Sequence, residues 1–246
     1  MVTANQQTHY DAPEWKAPRD MPTATEDLAE ICRALASTHL APELLSDAAL
    51  DASLQAFLRS HRAREDLWLF AYGSLIWNPS FQFVERCVGQ VHGYHRSFCL
   101  WSRINRGTPQ RPGLVLALDR GGSCPGVAYR LAAQRIESDL HTLWRREMLL
   151  GSYRPEWVSF SDGARRVRAL AFVVNRRCSG YAGRLPDERI ITTLLGAHGR
   201  YGPAHEYLLN TVAGLQHHGI RDPRLARLRE QMLAALAGAI SPAATA

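Results

Sequence analysis

A glutamate on the apolar side of an amphipathic helix is a candidate proton carrier, and the segment 133–150 holds one. With an advance of about 100° per residue from Ile136, the side chains of Leu140, Leu143 and Trp144 share one face, and Glu147, at roughly 20°, falls in its middle. Ser138, His141 and Arg145 lie opposite. An ionised carboxylate on a core-facing stripe is costly unless it is paired or opens on a lined cavity. Two readings of Glu147 follow: a buried ion pair with one of the many arginines, or an acid whose pKa is raised by burial and which carries a proton for a reaction.

A second feature is the loop in which an apolar strand stops. The run Leu67-Trp68-Leu69-Phe70-Ala71-Tyr72 has the character of a buried strand, and it ends at Gly73-Ser74. A glycine there permits close backbone approach and lets successive N–H groups converge on an anion, although a plain glycine turn is the simpler alternative. Ser74 does not read as a nucleophile, because Y-G-S-L lacks the G-x-S-x-G frame of a strained elbow. The five cysteines (Cys32, Cys87, Cys99, Cys124, Cys178) are scattered, with no C-x-x-C pair and no histidine at ligand spacing. That argues against a metal site and against a disulfide framework.

The elements that must position these residues can be read from pattern. Strands are expected at Gly89 to Trp101, Gly113 to Leu118, Gly126 to Leu131 and Val167 to Val174, each rich in Val, Leu, Phe or Tyr and bounded by Gly or Pro. With one helix at 133–150 and two after Pro186, the order predicts an α+β fold on a mostly antiparallel or mixed, barrel-like sheet. Upstream, Pro13, Pro18 and Pro22 mark a draping arm, a helix is expected from Thr23, and another from Asp47 to Arg64. This divides the chain into an arm with an acidic helical extension, 1–65, and a sheet-bearing domain with C-terminal helices, 66–246, to which any catalytic role would fall.

Composition bounds the function. The 246 residues, 46% apolar and 21% charged, suffice for a sizeable core, and no stretch approaches a membrane span. The first twenty residues lack a basic start and an apolar h-region, so the expected compartment is the cytoplasm. Residues 1–66 hold 6 basic and 11 acidic side chains and the rest hold 23 and 12. The arginines of the second part are spread through every segment rather than gathered in a stripe with aromatics, which speaks against nucleic acid and for a small anionic substrate.

Several segments together resemble one family. Leu67 to Phe81 (LWLFAYGSLIWNPSF), Gly93-Tyr94-His95-Arg96-Ser97-Phe98, Arg106-Gly107-Thr108-Pro109 with Pro112-Gly113, Gly126-Val127-Ala128-Tyr129-Arg130, and Leu143-Trp144-Arg145-Arg146-Glu147-Met148 with Gly151 and Tyr153 are similar, in order, to the ChaC-type γ-glutamylcyclotransferases. The similarity runs from Asp66 to Met232, about two thirds of the chain. The resemblance implies a γ-glutamylcyclotransferase-like fold, a small mixed β-barrel with flanking helices, behind the N-terminal helical extension. It implies cleavage of glutathione into 5-oxoproline and cysteinylglycine without a cofactor or metal, with Glu147 as the catalytic acid-base. Ala71, Tyr72, Gly73, Ser74, Leu75 and Ile76 fall on the family's substrate-holding loop. Between Ser102 and Arg106 the chain reads S-R-I-N-R, where one branch of the family has an Asp-His pair before the arginine. Arg106 and Tyr181 are further pocket candidates, whereas Glu206 reads as a helix-start charge and Tyr207 as a core aromatic. The competing expectations are a cyclotransferase for other γ-glutamyl amino acids or amines, and a non-catalytic regulatory protein on the same fold. A protein partner is not specified.

Overall fold

The computed structural model describes residues 31–240 apart from 34, 37 and 63, so the arm and the start of the helix expected from Thr23 lie outside the described residues. The apolar run forms β1 (Leu67–Ala71). It is apolar at every position because both of its faces are covered: Leu67, Leu69 and Ala71 join the larger core with the helices, while Phe70, and Tyr72 just beyond, pack with Val91, Leu118, Phe160 and Val173. Four more strands complete the sheet: β2 (Glu85–Ser102), β3 (Gly113–Leu131), β4 (Tyr153–Ser161) and β5 (Arg166–Val174). They close a barrel in the order β1-β3-β2-β4-β5, and β5 returns parallel to β1 through Trp68↔Ala169 and Leu69↔Leu170.

Two strands depart from the sequence expectation. The two short strands expected at 113–118 and 126–131 are one strand, β3, antiparallel to β2 along almost its whole length. The Asp-Arg-Gly-Gly-Ser-Cys-Pro stretch between them reads as a break, but Gly93 on β2 and Gly121 and Gly122 on β3 take positive φ (82°, 104° and 76°). A bulge between His92 and Tyr94 absorbs the mismatch, so the ladder bends without ending. β4 was not expected at all, since Pro155 and charged residues interrupt its pattern. Pro155 is tolerated where β4 pairs with β5, beyond the short stretch of β4 that also reaches β2.

The helices are α1 (Asp47–Leu58), a single turn α2 (Ser74–Trp77), α3 (Ile136–Met148), α4 (Asp187–Gly196), α5 (Ala204–His217) and α6 (Pro223–Ile240). Three helices rather than two follow Pro186. A two-residue ribbon, β6 (His198–Gly199) with β7 (Gly202–Pro203), separates α4 from α5, and Gly202 supplies the positive φ of its turn. α1 begins at Ser46, whose hydroxyl accepts from the Ala49 N–H, and ends six residues before the expected Arg64, which itself has a positive φ.

The described part of the acidic extension packs onto the barrel. Phe57 stacks on Trp157 with ring centroids 4.5 Å apart and meets Trp144 at 5.4 Å. The Trp144 indole donates to Ser53 Oγ at 2.7 Å, and Arg145 reaches Asp47 and Asp51 at 3.2 and 3.1 Å. Further upstream, Glu43 receives both terminal nitrogens of Arg103 at 3.2 and 2.9 Å. The outer face of α3 is therefore held by α1, and its opposite side is left to the barrel. Replacing Phe57 by Ala removes an aromatic joint between the extension and the barrel; a loss of about 3 kcal/mol is expected, which at this chain length lowers the melting temperature by roughly 6–12 °C in a thermal unfolding scan.

Candidate active site

Glu147 is the penultimate residue of α3, and its side chain, 13% exposed, opens on a cavity of about 310 Å³. Tyr72, Gly73, Ser74 and Leu75 of the β1–α2 loop line the same cavity, as do Tyr153 at the start of β4 and Tyr207 on α5. Both readings of the glutamate meet here. It is an ion-paired carboxylate, with Oε1 3.2 Å from Nε of the adjacent Arg146, and it faces a cavity. Burial pushes its pKa up from the ordinary glutamate value, and the Arg146 charge only partly opposes this.

Arg146 joins the acid to the loop. Its Nη2 donates to Ser74 Oγ at 3.1 Å, and its Nη1 donates to the Asn78 carbonyl and to Ser80 Oγ at 3.1 and 3.0 Å. One planar guanidinium thus spans α3, α2 and the segment that follows it, which a lysine could not do. Around Glu147, burial raises the pKa of Tyr72, Tyr153 and Tyr207 well above the usual tyrosine value, and the neighbouring carboxylate charge acts in the same direction. All three are hydrogen-bond donors at neutral pH. The Tyr72 hydroxyl donates to the Phe172 carbonyl at 2.7 Å. Gly73 is small for a reason of space, since a Cβ built there would lie 2.9 Å from the Tyr207 hydroxyl oxygen.

Of the sequence candidates, the structure brings Glu147, Tyr72, Gly73, Ser74, Leu75 and Arg106 to the cavity. Ala71 and Ile76, from the same loop segment, are core residues and are not among those lining it. Arg106 is buried, and its Nη1 donates to the Pro203 carbonyl at 3.1 Å and to Glu206 at 3.3 Å. Tyr181 also stands outside the lining: it bridges to Leu100, and its hydroxyl donates to Asp119, which also pairs with Arg176 at 2.6 Å. Tyr207, read as a core aromatic, is both buried and part of the cavity wall. Sequence reasoning assigned no role to Arg146, Tyr153, Arg103 or Asn105, which also line it. For Arg146 the only signal was its place beside a misplaced acid. Among the described residues no three His, Cys, Asp or Glu side chains come together as a metal-ligand group.

The sequence profile of the ChaC-like protein family matches residues 67–235, the span that carries the barrel, the loop and Glu147. The chain belongs to this family. Among its relatives, the glutathione-specific γ-glutamylcyclotransferase of Escherichia coli K12 is 39% identical over 175 residues, 71% of this chain and 76% of that protein. Glutathione-specific γ-glutamylcyclotransferase 1 of Homo sapiens is 36% identical over 165 residues, 65% of this chain and 74% of that one. The crystal structure of a yeast γ-glutamylcyclotransferase specific to glutathione superposes with a TM-score of 0.61 at 19% identity, covering 70% of this chain and 99% of that one, and shows the shared fold. The match to the ChaC-like profile starts at β1, so α1 and the segment before it lie outside it.

The raised pKa of Glu147 has a consequence for stability. The folded protein holds this proton more tightly than the unfolded chain does, so its stability falls as pH rises from the ordinary glutamate value through the raised one. Glu147→Gln removes that dependence. The variant is expected to melt higher than the wild type at pH 8, with the gap closing by pH 4, where both side chains are neutral; parallel melting curves at the two pH values, with no change in the gap, would contradict a raised pKa.

Proposed function

We propose that the protein is a γ-glutamylcyclotransferase that acts on glutathione, releasing 5-oxoproline and cysteinylglycine. The observation that carries this reading is the buried Glu147 carboxyl, with its raised pKa, opening on the cavity that the Tyr72–Leu75 loop also lines. A cavity of about 310 Å³ is in the range of small-molecule sites. The relatives named for this activity support the substrate.

The reaction asks little covalent work of the protein. The α-amine of the γ-glutamyl group attacks the γ-carbonyl of the same molecule, the bond from that carbonyl carbon to the cysteinyl nitrogen breaks, and a five-membered lactam forms. The site must fold the glutamyl chain so that nitrogen and carbon approach to about 3–3.5 Å, which converts lost rotational freedom into rate. It must also take a proton from the ammonium, since the charged amine has no lone pair. Glu147 as carboxylate accepts that proton, and as carboxylic acid returns it to the departing cysteinyl amine; a raised pKa suits both halves. The N–H groups of the Gly73 loop would receive the α-carboxylate or the developing oxyanion, and the Tyr153 and Tyr207 hydroxyls add neutral donors, the Tyr72 proton being committed to the Phe172 carbonyl. Arg106 completes the cationic side of the pocket and favours an anionic substrate. We assign the protein to the cytoplasm, a reducing compartment that suits five cysteines without a disulfide.

The purified protein is expected to form 5-oxoproline from glutathione, followed by mass spectrometry, with little product from a γ-glutamyl amino acid. Product from the second donor alone moves the assignment to other γ-glutamyl compounds, and product from neither supports a non-catalytic protein. Glu147→Gln should lower turnover by about a thousandfold or more while glutathione still binds, as expected for loss of the proton carrier. Turnover of the wild type should rise with pH as this carboxyl ionises, along a limb shifted above the ordinary glutamate range; a limb at the ordinary value would count against Glu147 as the base.

A further inference from the structure

Against the loop, and not among the residues lining the cavity, lies a buried cation that the mechanism above does not use. Arg96, on β2, has a side chain only 3% exposed. Its Nη1 donates to the Tyr72 carbonyl at 2.7 Å, and its Nη2 donates to the Pro125 carbonyl on β3. Its Nε lies 3.1 Å from Asp222 Oδ2, an ionic contact not aligned as a hydrogen bond. Asp222 is fixed in turn as the cap of α6: the Leu225 N–H donates to its Oδ1, and the Ala226 N–H donates to its carbonyl, both at 3.0 Å. A guanidinium so deeply buried persists only with its charge balanced, and Asp222 balances it.

The atom that Arg96 holds determines more than stability. The Tyr72 carbonyl and the Gly73 N–H belong to one peptide unit, which is trans, as are all peptide bonds among the described residues. In a trans peptide these two groups point in opposite directions. Arg96 is not among the residues lining the cavity, whereas Tyr72 and Gly73 are. With its carbonyl held by Arg96, this peptide directs the Gly73 N–H away from Arg96, and Gly73 itself stands on the cavity wall.

We propose that Arg96, with its charge balanced by Asp222, is a positioning residue: it fixes the rotation of the Tyr72–Gly73 peptide and so aims the Gly73 N–H at the anionic oxygen of the bound γ-glutamyl substrate. The inference rests on the cyclotransferase reading and adds to it a route from the cap of α6 to the substrate-holding loop. The oxygen that Gly73 meets is either the α-carboxylate or the oxyanion formed from the γ-carbonyl, and kinetics separates them. A carboxylate contact appears in KM and an oxyanion contact in kcat.

The test compares the full-length wild type with Arg96→Gln, Arg96→Lys and Asp222→Asn, and follows two readouts: glutathione kinetics, and the Gly73 amide resonance in ¹H–¹⁵N spectra titrated with 5-oxoproline, whose carboxylate serves as the probe. Activity of the wild type checks the underlying reading, and the variants, measured against it, check the inference. Arg96→Gln is expected to lose about 10- to 100-fold in kcat/KM, the scale at which small misplacements act. Arg96→Lys, which keeps one donor for the Tyr72 carbonyl, should recover part of the loss. Asp222→Asn retains the cap oxygen and so is the variant expected to fold if Arg96→Gln does not; it should show a smaller loss of the same kind. In the wild type the Gly73 resonance should move on titration, and in the variants its starting position should shift and its response weaken. A lowered melting temperature with kcat/KM within twofold of the wild type and an unaltered Gly73 response, in Asp222→Asn and in whichever Arg96 variant folds, would leave Arg96 a structural residue only and overturn the proposal.

Discussion

The site depends on a carboxylate being kept in a place where its charge is disfavoured. Left alone on the inner side of α3, Glu147 would either protonate permanently or draw the helix end toward water. Arg146 prevents both outcomes. It offsets part of the burial cost through its contact with Glu147, and its remaining nitrogens are committed to Ser74, Ser80 and the Asn78 carbonyl, so the same cation that steadies the acid also fixes the distance from α3 to the loop. The partial nature of this offset matters for chemistry: a fully compensated carboxylate would be a poor base, and an uncompensated one would rarely be ionised.

Much of this was legible in the residues themselves. Glu147 stood out because its helix was otherwise regular, with Leu140, Leu143 and Trp144 defining a face that the structure buries. β1 was clear because a strand covered on both faces must be apolar throughout, and Gly73, in the loop that follows it, coincides with a close approach to Tyr207. The parts that escaped share a physical cause, which is that their determinants are non-local. Gly121 and Gly122 look like a break until Gly93 is known to face them across the ladder; β4 has little pattern of its own because β5 supplies its pairing; and Tyr153 and Tyr207 come to the cavity from elements far apart in the chain. The two outer candidates of the loop, Ala71 and Ile76, show the limit of transferring a segment whole, since alternate residues of a strand end and a helical turn cannot all face one cavity.

The extension adds a feature that the family profile does not include. Three carboxylates of its described part pair with arginines of the family-matched span: Asp47 and Asp51 meet Arg145, next to the arginine that steadies the acid, and Glu43 meets Arg103 on the cavity wall. Ile31, also outside the family match, lines the cavity directly. The pocket is therefore built partly by residues that relatives aligned only from β1 onward need not share.

The parallel contact between β1 and β5 has a temporal meaning. Trp68 and Leu69 pair with Ala169 and Leu170, about a hundred residues later in the chain, and such distant pairings carry a large loop-closure cost before they return any contact. During synthesis the most apolar strand of the protein emerges early and waits for the partner that completes its enclosure, with a long antiparallel hairpin, β2 with β3, forming in between. That hairpin also supplies the other neighbour of β1, through the β3 residues from Val127 to Leu131, and so gives the waiting strand a first shelter on one edge. The order of elements along the chain thus limits how long the β1 edge is exposed to other nascent chains, and the loop that lines the cavity follows directly from a strand whose second edge is covered only when β5 arrives.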